Sequence, residues 1–146
     1  MKPIISVLLA FTLATSAESV LAQSSPARTS LAYGDCIRVD QINEWHIVDS
    51  RTVVVRTGPY QRYLVNLQAE CQKLGIGNQA PIFVLSPADK AVGNRICGSI
   101  GEKVRSRNQP PCAIQSVSLI SEDQFNSYRA KAKYHSVRTQ QPSKTP

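Results

Sequence analysis

Six side chains in this sequence have the chemistry to bind a metal, exchange electrons or act as a nucleophile with its base: Cys36, Cys71, Cys97, Cys112, His46 and His135. The cysteines are separated by 35, 26 and 15 positions, so no two have the C-x-x-C spacing of a zinc knuckle or a thiol redox motif. In an oxidising compartment an even, scattered set is most simply two disulfides. With only two histidines in the chain a metal site has few other ligands, and neither a metal nor another cofactor is expected.

A catalytic triad needs a base oriented by an acid beside a nucleophile. His46 is the one histidine in the body of the chain and Asp49 is close to it, yet side chains alternate faces along a strand. His46 then points with Val48, and Asp49 with Trp45 and Ile47, so the two cannot form a dyad without a bulge. Paired carboxylates could serve glycosidic chemistry, but Asp35, Asp40, Glu44, Asp49, Glu70, Asp89 and Glu102 fall in no recognisable spacing. Most of them read as turn residues. Gly75-Ile76-Gly77 lacks the third glycine of a dinucleotide fingerprint and reads as a stop and a loop. A binding signal does lie around one hairpin, where Arg51, Arg56, Tyr60, Arg62 and Tyr63 mix cations with aromatics that can stack on rings and pair with anions. Trp45, with apolar neighbours, reads as core.

The elements that must position these residues are short β-type runs separated by turn chemistry. They cover Cys36 to Val39 or Ile42, Trp45 to Asp49, Thr52 to Arg56, Tyr63 to Leu67, Ile82 to Ser86, Arg95 to Cys97 with a piece around Val104, and Cys112 to Ile120. Asp49-Ser50-Arg51 and the stretch from Thr57 to Gln61 predict two hairpins, hence a three-strand meander from Trp45 to Leu67. Glu70 to Leu74 reads as a single helical turn, and Ser86-Pro87-Ala88-Asp89 as a turn. Ser121-Glu122-Asp123-Gln124 has the form of a capping box with two acids in the first turn. It opens a helix over about 121–134 that packs Phe125 and Tyr128 on the sheet. The fold class is therefore mainly β: a small antiparallel barrel or sandwich of about six short strands, one C-terminal helix and two disulfides.

The chain opens with Lys2 and an apolar run from Ile4 to Ala14, about eleven residues, where a spanning helix needs roughly 20. With Val20-Leu21-Ala22 this reads as a signal peptide, residues 1–22, cleaved before Gln23. Residues 23–32 read as a flexible leader, 33–134 as one β-rich domain and 135–146 as a disordered basic tail that includes His135. The net charge of +7 is concentrated at the end. From Arg129 to Pro146 there are five cations and no acid, whereas Gln23 to Tyr128 holds eleven cations against nine acids. A basic tail of this kind could touch an anionic envelope surface.

The order Cys36-Ile37, Ile42, Trp45, Val48-Asp49, Thr52, Tyr63-Leu64-Val65, Leu67, Cys71, Leu74, Ile96-Cys97, Cys112, Ile114 and Ser116-Val117 resembles that of a family of small exported proteins of Gram-negative bacteria. That family is classed only as a domain of unknown function. The resemblance runs from Cys36 to about Leu119 and implies a periplasmic or secreted location, with no activity. Glu102 departs from it, standing roughly where such proteins carry an aspartate, which leaves the role of that acid open. If the strands run up and down in simple succession, Cys36 and Cys97 begin strands at one end of the barrel. Cys71 and Cys112 then lie at the other end, so this topology favours Cys36 with Cys97 and Cys71 with Cys112.

The expected function is that of a non-enzymatic binding or structural module of the cell envelope. Two alternatives stay open: an OB-like module for an anionic polymer, built on the arginine and tyrosine hairpin, and a small enzyme with an unrecognised carboxylate site. Salt separates the first, since five tail contacts on duplex DNA give a log-log slope of roughly −4 to −5. A concave pocket holding two acids within about 10 Å is the mark of the second.

Overall fold

Alternation along the predicted meander is realised in three long strands. β1 (Ile37–Arg38) precedes them; β2 (Ile42–Asp49), β3 (Thr52–Thr57) and β4 (Gln61–Leu67) then pair antiparallel in order. The computed structural model of the protein describes residues 28–136; the expected signal peptide (1–22), the start of the expected leader and the part of the expected tail beyond Ser136 lie outside those residues. The first hairpin turns at Ser50 and Arg51, where the Asp49 side chain accepts from the Arg51 N–H at 2.7 Å, the Asx chemistry that its sequence implies. The second turns through Gly58, Pro59 and Tyr60.

After β4 come β5 (Ile82–Val84), α1 (Pro87–Val92), β6 (Arg95–Ile96), β7 (Lys103–Arg105), β8 (Cys112–Leu119), α2 (Glu122–Lys131) and β9 (Tyr134–His135). Among the described residues one sheet has the order β5-β7-β8-β4-β3-β2-β9, and β1 pairs with β6 in a separate two-stranded ribbon. The whole is a curled antiparallel half-barrel with a C-terminal helix and two disulfides. The mainly β class therefore holds, in a half-open form between the barrel and the sandwich.

Simple succession of the strands does not hold. β8 lies between β4 and β7, so the chain crosses over after β4 and returns. The disulfide pairing survives this, because it depends on local register. Ile37 faces Ile96 in the ribbon, which puts Cys36 opposite Cys97 with Cα atoms 4.6 Å apart. β4 and β8 are antiparallel, so the segment leaving β4 meets the start of β8, and Cys71 bonds Cys112 across 6.0 Å.

The concave face carries the core: Ile47, Val53, Val55, Tyr63, Val65, Leu67, Ile114 and Val117, with Phe83, Ile96 and Val104 from the shorter strands. Trp45 packs against this cluster from its edge. The opposite face of β2 to β4 is covered by α2, which inserts the fully buried Phe125 beside Val48 and Val54. Coverage of both faces explains why Val53, Val54 and Val55 are all buried. Tyr63 is fully buried too, its hydroxyl donating to the Cys36 carbonyl at 3.3 Å.

Two short segments differ from the sequence expectation. The stretch from Ser86 is a helix rather than a turn: Ser86 caps it by accepting from the Asp89 N–H, and Pro87 stands at its first position, where a missing N–H costs nothing. Residues 72–77 form turns rather than a helical turn, with Gly75 at φ +79. The C-terminal helix has the full capping box on Ser121 and Gln124 but ends at Lys131. Past it, Lys133 donates to the Ile47 carbonyl and Ser136 to the Trp45 carbonyl, both at 2.9 Å. The edge of β2 thus supplies the backbone partners that draw Tyr134, expected at the end of the helix, and His135, expected in the tail, into a strand.

Gly75 is the tightest point of this arrangement. A Cβ there would lie 2.6 Å from both Ile47 Cδ1 and Tyr134 Cδ2, on a backbone conformation that L residues rarely adopt. Gly75→Ala should therefore cost about 2–3 kcal/mol, through strain and overpacking together. Urea unfolding measures it, and a loss under about 0.5 kcal/mol, the level of an ordinary surface change, would contradict this packing.

Candidate functional site

Residues 44, 46 and 48 of β2 share the face that α2 covers, so Glu44 and His46 stand side by side on it. The Nε2 of His46 lies 2.9 Å from Glu44 Oε1, and its Nδ1 lies 2.9 Å from the Nδ1 of His135 on β9. Both Glu44 and His46 are buried, whereas His135 is exposed. A carboxylate can only accept, so neutral His46 carries its proton on Nε2 and offers the Nδ1 lone pair to an N–H from His135.

Two arginines complete the group. Arg56 Nη1 sits 3.1 Å from Glu44 Oε2, and Arg129 Nη1 of α2 sits 3.5 Å from Oε1. Phe125 is flanked by both polar partners: the Arg56 guanidinium lies 5.0 Å from its ring centroid, and the His46 ring meets it edge-on at 5.6 Å. The result is a line of polar groups, from Arg56 and Arg129 through Glu44 and His46 to His135, threaded between sheet and helix. It ties β2 and β3 to α2 and β9, four elements from two distant parts of the sequence, and its exposed end is the His135 imidazole.

Burial is the main cause that lowers the His46 pKa, opposed by the hydrogen bond and charge of Glu44 and reinforced by the nearby His135 and Arg129. This imidazole is therefore held neutral in the folded protein more firmly than in the unfolded chain.

The second buried carboxylate has a different task. Glu102, fully buried, accepts from the N–H groups of Cys97, Gly98 and Ser99 at 2.8, 2.6 and 2.9 Å. Burial pushes its pKa upward while those donors pull it back. It shapes the loop that follows the Cys36–Cys97 bridge, which gives the acid at this position a structural role in this chain.

The five residues of the arginine and tyrosine hairpin do not gather into one surface. Arg56 is committed to Glu44, and Arg62 pairs with Glu122 at 3.1 Å. Tyr63 is in the core, Tyr60 is exposed at the second turn, and Arg51 lies at the first turn, the far end of the same hairpin. Simple alternation does not hold as far as Asp49, because a register shift after Ile47 pairs it with Thr52, on the face of Val54 and His46. It still forms no dyad, since its side chain caps the first turn while Glu44 and His135 hold the two ring nitrogens of His46. The pair that does meet, Glu44 and His46, has the i, i+2 spacing that alternation places on one face. His135 is their partner through a strand pairing across 89 positions, for which the sequence carries no local signal.

A depressed histidine pKa gives stability that is complete above the unfolded value of 6.5 and is lost as pH falls through the folded value. The urea midpoint should accordingly fall between pH 7.5 and 5.5, before most carboxylates titrate, and the fall should be shallower in His46→Gln, which keeps a donor for Glu44 but cannot be protonated. A midpoint flat across this range in the native protein, or a slope unchanged in the variant, would contradict the assignment of His46 as buried and neutral.

Two disulfides point to an oxidising compartment, and no helix among the described residues is long and apolar enough to cross a membrane. No curated protein and no solved structure shows significant similarity to the chain. One family is nonetheless matched, over residues 1–136: the chain belongs to the family of unknown function DUF6491.

Proposed function

We propose that the protein is an exported, non-enzymatic module of the cell envelope that binds or supports an envelope component. The observation that carries this reading is the commitment of its buried acids. Glu44 is held by Arg56, Arg129 and His46, and Glu102 by three backbone N–H groups. A general acid or base needs an oxygen facing a substrate. These carboxylates instead face groups that fix a helix, a strand and a loop.

Further support comes from outside the site. The disulfides suit a periplasmic or secreted setting, and residues 1–22 have the layout of a cleavable export signal. The five cations from Arg129 onward favour an anionic surface as the neighbour, although Arg129 itself is already paired with Glu44.

The test is to express the full chain in a Gram-negative host and recover it from the periplasm. The reading predicts a product beginning at Gln23 that sediments saturably with isolated cell envelopes and releases no soluble sugar or peptide from them. Retention in the cytoplasm, failure to sediment at any concentration, or breakdown of the envelope polymer would each overturn it.

A further inference from the structure

A cavity of about 300 Å³ lies beside the β1 and β6 ribbon, lined by Tyr33, Arg38, Asp40, Gly93, Asn94 and Arg95. Its most unusual feature is a charge conflict. Arg38 and Arg95 are direct partners in the antiparallel ribbon, and both line the cavity. Opposed residues of such a pair have Cβ atoms about 5 Å apart, and like charges there repel. No acid among the described residues forms an ion pair with either arginine; the acids so engaged are Glu44 and Glu122, on the α2 side of the sheet.

The neighbouring groups hold this arrangement in place. Arg95 stacks over the Tyr33 ring, 4.4 Å from its centroid, and donates to the Tyr33 carbonyl at 3.0 Å. The Tyr33 hydroxyl donates to the Val92 carbonyl at the end of α1. The Asn94 carbonyl accepts from Val39 N–H at 3.1 Å, and the Cys36–Cys97 bridge closes the ribbon one position beyond its paired residues. Arg95 is thus oriented by a short network, while Arg38 is exposed and has its guanidinium free to move onto a ligand. A planar anion between the two would remove the repulsion and accept the paired N–H groups that guanidinium presents.

Asp40 supplies the opposite polarity in the same cavity. Unpaired with either arginine, it is an acceptor for hydroxyl donors, and the Asn94 side chain can both donate and accept. A cleft with two guanidiniums, an aromatic edge, an amide and a carboxylate matches a small molecule that has one anionic group and several hydroxyls.

We infer that this cleft binds an acidic sugar unit, with Arg38 and Arg95 gripping its carboxylate or phosphate and Asp40 and Asn94 accepting from and donating to its hydroxyls. The inference rests on the binding-module reading and names the site and ligand class for it. Carboxylate and phosphate share the chemistry that the arginines recognise, so the experiment separates them.

The oxidised protein is titrated with glucuronate, glucose 6-phosphate and glucose while its backbone amide resonances are followed by NMR. The acidic sugars should shift Gly93, Asn94 and Arg95 saturably, and glucose should not; the tighter of the two acids identifies the anionic group. Arg38→Gln, at an exposed position, should fold normally and weaken binding by about tenfold or more, the loss of a charged hydrogen-bond pair. Lys73→Gln, beside a separate cavity near Cys112, should leave it unchanged. No saturable shift with either acid, equal binding of glucose, or unaltered affinity in Arg38→Gln would overturn the inference. If the protein still sediments with envelopes in that event, the cleft is discarded and the binding-module reading stands.

Discussion

Two covalent cross-links hold what the hydrogen-bonded sheet does not reach. Cys36–Cys97 fastens the β1 and β6 ribbon, which has two residues in each strand and pairs with no strand of the main sheet. Cys71–Cys112 fastens the segment leaving β4 to the start of β8, across the point where the chain crosses over. The loops they close span 61 and 41 positions, and in the chain-entropy account each stabilises by about 4 kcal/mol. Domains of this size are typically stable by only about 5–15 kcal/mol, so the bridges decide whether the irregular half of the molecule is ordered. The Arg38 and Arg95 cleft is built on that half, and Glu102 shapes the loop that leaves Cys97. An oxidising compartment is therefore a condition for the fold as well as a clue to location.

The other half is held by burial on two faces. The concave face of β2 to β4 is apolar, whereas the face under α2 is mixed, with Phe125, Val54 and Val48 beside Glu44, His46, Arg56 and Arg62. Buried charges add little net stability when measured against apolar replacements, yet leaving one unpaired is costly. Such a group therefore favours one seating of α2 and β9 over others. Phe125 supplies the apolar contact, and the Glu44 line sets the register in which the helix and the last strand meet β2.

Much of this was legible in the residues. The meander follows from the Val and Ile runs broken by Asp49-Ser50-Arg51 and by Gly58-Pro59, and the helix start follows from Ser121 and Gln124. These signals are local, which is why a single sequence carries them. The insertion of β8 beside β4 is a long-range pairing that no spacing announces, and β9 at two residues is too short to show a period. The α1 cap was present as Ser86-Pro87-Ala88-Asp89, but six residues do not display a helical face. At the site, alternation places Glu44 with His46, whereas His135 becomes a partner only once β9 has found the edge of β2. Of the hairpin arginines, Arg56 is taken by Glu44 directly opposite it on β2, one residue before the expected start of that strand, and Arg62 by Glu122, which only the docking of α2 brings near.

The most direct test of the account is to digest the native protein without reductant, identify the cross-linked peptides, and compare its unfolding midpoint with and without dithiothreitol. The account predicts one peptide pair joining Cys36 to Cys97, a second joining Cys71 to Cys112, and a midpoint that drops sharply once both are reduced. Four titratable thiols, a bridge between Cys36 and Cys71, or a midpoint indifferent to dithiothreitol would contradict it.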